Sequence, residues 1–159
     1  YPLVTELYPP GISLKGFAPG YQLAELPPPA TPADIQFANG LRLAGFQAEA
    51  AASATDDLFH PPSGWLHVIL YWQAAQPIAG DAAPLVNLVG PEGVWGASLE
   101  RSNDALGLYP TSRWAAGGPL VRQDVDVNLN PATPPGVYQL VVGLAGSNEQ
   151  YSLGQVKIR

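Results

Sequence analysis

Cysteine is absent from this chain of 159 residues, and its absence excludes both disulfide bonds and thiolate metal sites. Any metal binding or catalysis must therefore use oxygen and nitrogen side chains. Methionine is absent as well, even at position 1. We accordingly expect that the sequence begins after a removed segment or was cut from a longer protein.

Charged residues are scarce. They make up 13% of the chain, about half of the usual share of roughly 25%. The formal net charge is −6, and the seven Lys and Arg residues are scattered. Nucleic acids and anionic membrane surfaces both require clustered cations, so we discount both as partners. No run approaches the ~18 apolar residues of a membrane span and no signal-peptide pattern opens the chain, so we expect a soluble domain without membrane insertion.

Glycine and proline are abundant, with 17 and 18 residues respectively, and 47% of the chain is apolar. Because proline lacks a backbone donor and both residues favour turns, this composition favours many short strands over a bundle of helices. Prolines are densest in residues 1–34, which we interpret as an irregular Pro-rich strap or a linker. Residues 35–159 then form one β-sandwich domain, long enough to be stable without covalent cross-links.

Three segments carry the hydrophobic patterns of strands. After the turn that ends at Gly136, every second side chain from Tyr138 to Leu144 is apolar and points to one face. Residues 121–129 alternate strictly between two faces, and residues 65–72 are apolar on nearly both faces, as in a central strand covered on both sides. We expect an all-β fold, a two-layer antiparallel β-sandwich of immunoglobulin-like or jelly-roll type, with about seven to nine strands.

Turn residues separate these strands. Asn39-Gly40 is the dipeptide that most favours a tight hairpin, and Gly90-Pro-Glu-Gly93 predicts a second turn. Residues 101–119 show no alternation and indicate a long loop. Trp72 and Tyr138 are assigned to the core, where the buried Tyr138 hydroxyl needs a backbone partner, as in the tyrosine corner of immunoglobulin-like sandwiches.

Five segments in this order resemble a known β-sandwich module: Phe37-Ala-Asn-Gly-Leu-Arg-Leu-Ala-Gly45, Leu66-His-Val-Ile-Leu-Tyr-Trp-Gln-Ala74, Leu88-Val-Gly-Pro-Glu-Gly93, Tyr109-Pro-Thr-Ser-Arg-Trp114 and Pro135-Gly-Val-Tyr-Gln-Leu-Val-Val-Gly-Leu144. The module is found at the C-terminal end of multi-spanning bacterial membrane proteins similar to dolichyl-phosphate-mannose-type glycosyltransferases, which are common in green non-sulfur bacteria. The resemblance covers about residues 35–159. It implies a non-catalytic domain that faces outward from the cytoplasmic membrane, with the transferase chemistry in a transmembrane part of the parent protein.

Catalytic and metal-binding candidates are few. His60 and His67 are the only possible histidine bases, no Gly-x-Ser-x-Gly accompanies them, and we interpret both as hydrogen-bonded structural residues. Asp124 and Asp126 would lie about 6.6 Å apart along one strand, within the range of an inverting glycosidase pair, but they point in parallel instead of flanking a sugar. They are also weak candidates for a calcium site, with further oxygen side chains from Asn128, Asn130, Asn103 and Asp104. We favour a solvated sheet face.

Sugar binding is the remaining candidate. Sugar rings stack on aromatic side chains, and Trp95, Tyr109 and Trp114 lie on or beside turns and the long loop. Arg113 would then be available to bind sugar hydroxyls. The alternative is that Trp114 folds back to cap one end of the sandwich, as loop aromatics often do, and we favour this alternative.

The function expected from these observations is that of a non-catalytic extracytoplasmic accessory domain, anchored through a membrane-associated parent protein and without a cofactor. It would bind a glycan or a neighbouring domain of its parent. One alternative is a small carbohydrate-active hydrolase that uses Asp124 and Asp126. Another is a structural spacer, which would present no exposed aromatic cluster.

Overall fold

The computed structural model describes residues 22–58, 60, 62–99 and 105–159, and for 3–7 and 14–17 it describes the strand backbone. Within this described part, α1 (Ala105–Leu108) and a 3₁₀ turn (Thr111–Arg113) are the only helical elements. All other regular elements are strands, so the predicted all-β, sandwich-like fold class is confirmed. The strands are β1 (Leu3–Leu7), β2 (Leu14–Phe17), β3 (Gln22–Leu23), β4 (Thr31–Gln36), β5 (Leu41–Ala48), β6 (Ala51–Ala52), β7 (Trp65–Ala74), β8 (Pro84–Gly90), β9 (Gly93–Ser98), β10 (Leu120–Leu129), β11 (Gly136–Leu144) and β12 (Gln150–Ile158).

Most of the strands follow one another in a single ladder. Its order is β4-β5-β7-β10-β9-β8-β11-β12-β6, with β3 paired to β10. The pairs β10–β9, β9–β8, β8–β11 and β11–β12 are antiparallel, whereas β6 runs parallel to the end of β12. β1 and β2 form a separate antiparallel pair. The immunoglobulin-like and jelly-roll variants stay predictions.

Two compact units divide the chain. β5, β7 and β10 each supply residues to both of them. The predicted boundary between residues 34 and 35 stays a prediction, and β4 crosses it. Unit 1 comprises residues 1–45, 70–82 and 101–123, and unit 2 comprises residues 46–69, 83–100 and 124–159.

In unit 1 the core is built around Trp72, which has no exposed surface and is therefore a core residue, as predicted. Phe37 packs against it with the ring centroids 5.9 Å apart. Nε1 of Trp72 donates a hydrogen bond of 2.9 Å to Oε1 of Gln123, which is only 3% exposed. Because a buried polar group without a partner costs about 1–3 kcal/mol, this bond allows both side chains to lie in the core.

In unit 2 the core includes one face of β11. Every second residue from Tyr138 to Leu144 is buried, as predicted. The Tyr138 hydroxyl donates a hydrogen bond of 2.7 Å to the Pro134 carbonyl, which is the backbone partner expected of a tyrosine corner. The Tyr138 ring also lies against Gly90, where an added Cβ would come within 2.7 Å of it. Glycine at position 90 therefore permits the close approach of this ring.

β10 and β7 supply the surface on which the candidate site stands. From residue 121 to residue 129, odd-numbered residues of β10 are buried and even-numbered ones are half-buried, so the predicted alternation is confirmed. β7 contains the predicted residues 65–72 and extends to Ala74, but its burial differs from the prediction. Tyr71 and Trp72 are buried on opposite faces, whereas His67 is exposed and Trp65 and Ile69 are half-buried. The prediction of a strand covered on both sides is wrong for this first half.

Both predicted turns are confirmed. Gly40 adopts a φ of +95°, which glycine tolerates without strain, and Asn39 Oδ1 accepts a hydrogen bond of 3.0 Å from the Leu41 N–H. At the second turn, Gly90 pairs with Gly93, whose φ is +130°. These turns join β4 to β5 and β8 to β9.

The described part of the chain contains more strands than the sequence predicts. β3 and β6 have two residues each, too few to show any alternation. β1, β2, β3 and the start of β4 lie within residues 1–34, where closely spaced prolines favour irregular structure. The predicted loop at residues 101–119 contains α1 and the 3₁₀ turn instead of being wholly irregular.

Replacing Gln123 with leucine should lower the free energy of unfolding by about 1–3 kcal/mol, because the buried Trp72 N–H loses its acceptor. Urea denaturation followed by tryptophan fluorescence measures the change. Gln155, exposed on β12, provides the matched control, since Gln155→Leu should change the free energy by no more than about 0.5 kcal/mol. Equal effects of the two substitutions would contradict the structural role of the Trp72–Gln123 bond.

Candidate functional site

One group of titratable side chains lies on the partly exposed face of β7 and β10. Because β10 alternates, Asp124 and Asp126 share the face opposite to the buried Val125. His67 lies on β7, the neighbour of β10 in the ladder, and it is exposed between two buried residues. We call His67, Asp124 and Asp126 the acidic–histidine cluster.

The imidazole of His67 lies between the two carboxylates. Nδ1 is 2.8 Å from Oδ1 of Asp126, and Nε2 is 3.1 Å from Oδ1 of Asp124. The side chains are 49% exposed for His67, 28% for Asp124 and 30% for Asp126. Water therefore screens these contacts, and each is worth no more than about 1 kcal/mol, as is usual for partly exposed ion pairs.

The two contacts favour the imidazolium form of His67. A neutral imidazole has one N–H donor, whereas the imidazolium has two, one for each carboxylate. Burial of the ring lowers its pKa, but the hydrogen bonds to Asp126 and Asp124 and their negative charges together outweigh burial, so the pKa of His67 is raised above the ordinary 6.5. The cluster therefore holds a proton more tightly than an isolated histidine does.

This arrangement determines which chemistry the cluster favours. Both ring nitrogens contact carboxylates, so a substrate proton would compete with these contacts for either nitrogen. Asp124 and Asp126 face one imidazole instead of opposing each other across a cleft, an orientation unlike that of a glycosidase pair. Among the residues that the structure describes, no group of three or more histidine and acidic side chains is arranged to hold a metal ion.

Of the other oxygen donors suggested for calcium, the structure describes Asn128 and Asn130. Asn130 Oδ1 accepts a hydrogen bond of 2.9 Å from the Ala132 N–H and so caps a turn. Asn128 is half-buried at the end of β10. Asn103 and Asp104 lie outside the described residues.

Three of the four residues predicted to bind sugar lie in unit 1. Trp114 is 7% exposed, and its Nε1 donates a hydrogen bond of 2.9 Å to the Tyr109 carbonyl. The rings of Tyr109 and Trp114 are in contact, with centroids 6.0 Å apart and planes inclined by 31°. Tyr109 is half-buried and Arg113 is exposed. Trp114 thus packs inward as a structural residue, while Arg113 remains open to solvent.

Trp95, the fourth predicted residue, belongs to unit 2. It is half-buried on β9, and its backbone carbonyl accepts a hydrogen bond of 2.8 Å from the Asn130 N–H. Its ring lies close to Gly90, where an added Cβ would be 3.3 Å from Cδ1. The contact between Tyr109 and Trp114 is made without it.

The pairing of His67 with two aspartates is the feature that sequence reasoning missed. The prediction that His67 is hydrogen-bonded is confirmed, whereas its structural role stays a prediction and the sequence does not identify its partners. One signal was available, because all three residues are polar positions within predicted strands: His67 interrupts an apolar run, and Asp124 and Asp126 share one face of an alternating strand. The other histidine, His60, is exposed in a loop.

Comparisons with known proteins do not identify a family. No protein-family model matches the chain, and neither a curated protein nor a solved structure matches it significantly. Within the described ranges, none of the helices has the length and hydropathy needed to cross a membrane.

Replacing Trp114 with alanine should lower the free energy of unfolding by about 3–5 kcal/mol, because the side chain is buried and its N–H is bonded. Arg113 is the neighbouring residue and its side chain is exposed, so Arg113→Ala should change the free energy of unfolding by no more than about 0.5 kcal/mol. Chemical denaturation of both variants measures the difference. A small effect of Trp114→Ala would contradict its structural role and favour a surface role.

Proposed function

We propose that this chain is a non-catalytic, extracytoplasmic accessory domain of a larger membrane-associated protein, and that a glycan is its ligand. The proposal is supported first by the resemblance of residues 35–159 to the outward-facing module of glycosyltransferase-like membrane proteins. It is supported second by the internal contacts of the side chains best suited to catalysis.

The observation that carries the proposal is the engagement of both His67 nitrogens by Asp124 and Asp126. General acid–base catalysis needs a group that reaches a proton of the substrate, and hydrolysis of a glycosidic bond needs carboxyl groups on opposite sides of it. In this chain the same three side chains are directed at one another. This geometry favours a structural role over the alternative of a hydrolase.

The glycan part of the proposal is based on the segment from Tyr109 to Trp114. Arg113 is exposed and lies four residues after the half-buried Tyr109 in the chain. A guanidinium donates hydrogen bonds well suited to sugar hydroxyls. The buried Trp114 holds Tyr109 in place through the contact between their rings and through the hydrogen bond that Trp114 Nε1 donates to the Tyr109 carbonyl. Tyr109 then provides the aromatic surface, and Arg113 provides the polar contacts.

Chromogenic glycosides and oligosaccharides test the absence of hydrolysis. We expect the wild-type chain to release no more sugar than the double variant Asp124→Asn, Asp126→Asn, because neither carboxylate is placed to act on a substrate. Release by the wild type that disappears in the double variant would establish the hydrolase alternative instead.

A glycan array with the 159-residue chain tests binding. We expect at least one glycan to bind, and Arg113→Ala to weaken its binding by about tenfold, the equivalent of losing about 1.4 kcal/mol of binding free energy. Arg159→Ala is the matched control, because it removes the same charge from another exposed position and should leave binding unchanged.

An array without glycan binding would distinguish the glycan-binding function from the spacer function. If no glycan binds, or if both arginine substitutions weaken binding equally, the segment from Tyr109 to Trp114 is not a glycan site. The spacer function would then be favoured.

A further inference from the structure

The acidic–histidine cluster connects two strands through side chains. His67 projects from β7, while Asp124 and Asp126 project from β10, which is adjacent in the ladder. The two aspartates are two residues apart, so their Cα atoms are separated by about 6.6 Å along the strand. An imidazole between them reaches both carboxylates at once.

The number of protons on the imidazole determines how many of these contacts are hydrogen bonds. With two N–H groups, His67 donates to both carboxylates. With one N–H group, one ring nitrogen presents a lone pair to a carboxylate oxygen, which repels it. Loss of the proton also removes the positive charge of the imidazolium from between two negative charges on one strand face.

The surrounding elements add few other charges. Arg122 precedes Asp124 by two positions on β10. β5, the other neighbour of β7, contains one charged residue, Arg42, whose guanidinium bonds Asp34 and Gln73. β9 and β3, which also pair with β10, contain no titratable side chain, and His67 is the only titratable side chain among residues 65–69 of β7.

We propose that the acidic–histidine cluster is a pH-dependent link between β7 and β10, in which the protonated imidazole holds both carboxylates and the deprotonated imidazole holds one. Deprotonation changes the formal charge of the cluster from −1 to −2 and removes one inter-strand contact. This property goes beyond the accessory function proposed above, because it concerns the response of the sheet to its surroundings.

The direction of the pH dependence follows from the direction of the pKa shift. The pKa of His67 in the folded chain is raised above 6.5, its ordinary value in the unfolded chain. The cluster therefore contributes its full stability below about pH 6.5 and loses it as the pH rises through the raised folded value. Between these limits the folded chain binds the proton more tightly than the unfolded chain does.

The imidazole titration is the first test. Long-range ¹H–¹⁵N NMR spectra, recorded from about pH 5.5 to about pH 9 to span histidine titration, follow His67 in the full chain. We expect the His67 midpoint to fall when either Asp124 or Asp126 is replaced by asparagine, and to fall furthest in the double variant. Asp57→Asn removes an exposed carboxylate elsewhere and should leave the midpoint unchanged.

These asparagine substitutions are nearly isosteric and lie on partly exposed side chains, so the folded chain is retained. A His67 midpoint that is the same in the wild type and in the double variant would overturn the proposal. A midpoint that falls equally in Asp57→Asn would do so as well, because it would report net charge and not the cluster.

Stability is the second test, and it does not depend on assigned NMR signals. The quantity to compare is the melting temperature of the wild type minus that of His67→Gln. We expect this difference to be larger by about 2–4 °C at about pH 6 than at about pH 9, the shift expected for one partly exposed ion pair in a domain of this size. A difference that does not change with pH would contradict a link controlled by protonation.

Discussion

The alternation of side chains along β10 is the constraint on which both the core and the candidate site depend. Successive side chains of a strand point to opposite faces, so one segment supplies Val125 and Val127 to the interior and Asp124 and Asp126 to the solvent side. A shift of one residue in the pairing would bury the two aspartates and expose the valines. The free energy of burying the apolar face therefore also holds the carboxylates where His67 reaches them.

Three buried aromatic side chains have their polar atoms hydrogen-bonded inside the protein. Trp72 donates to Gln123, Tyr138 to the Pro134 carbonyl, and Trp114 to the Tyr109 carbonyl. Each bond removes the cost of burying a donor, which is comparable to the net value of a hydrogen bond. The same bonds reduce the aromatic surface left for a ligand, which is why the proposed glycan site combines Tyr109 with the exposed Arg113.

The acidic–histidine cluster and the segment from Tyr109 to Trp114 serve different proposed purposes. The cluster contains an imidazole and two carboxylates, the groups that acid–base catalysis uses, but these groups contact one another. The segment combines an exposed cation with an aromatic ring. An accessory domain that binds without catalysis agrees with both arrangements, and the titratable cluster adds a response to pH within the range where histidine changes charge.

Local patterns predicted much of the fold and little of the site. The order of residues predicts strands at 65–72 and 121–129, the hairpin at Asn39-Gly40 and the buried face from Tyr138 to Leu144, because period-two alternation and turn preferences act over a few positions. The contacts of His67 join residues 57 and 59 positions apart in the chain. Such partners depend on strand order and register, which only the packed tertiary structure decides, since many registers place the same side chains on the same face.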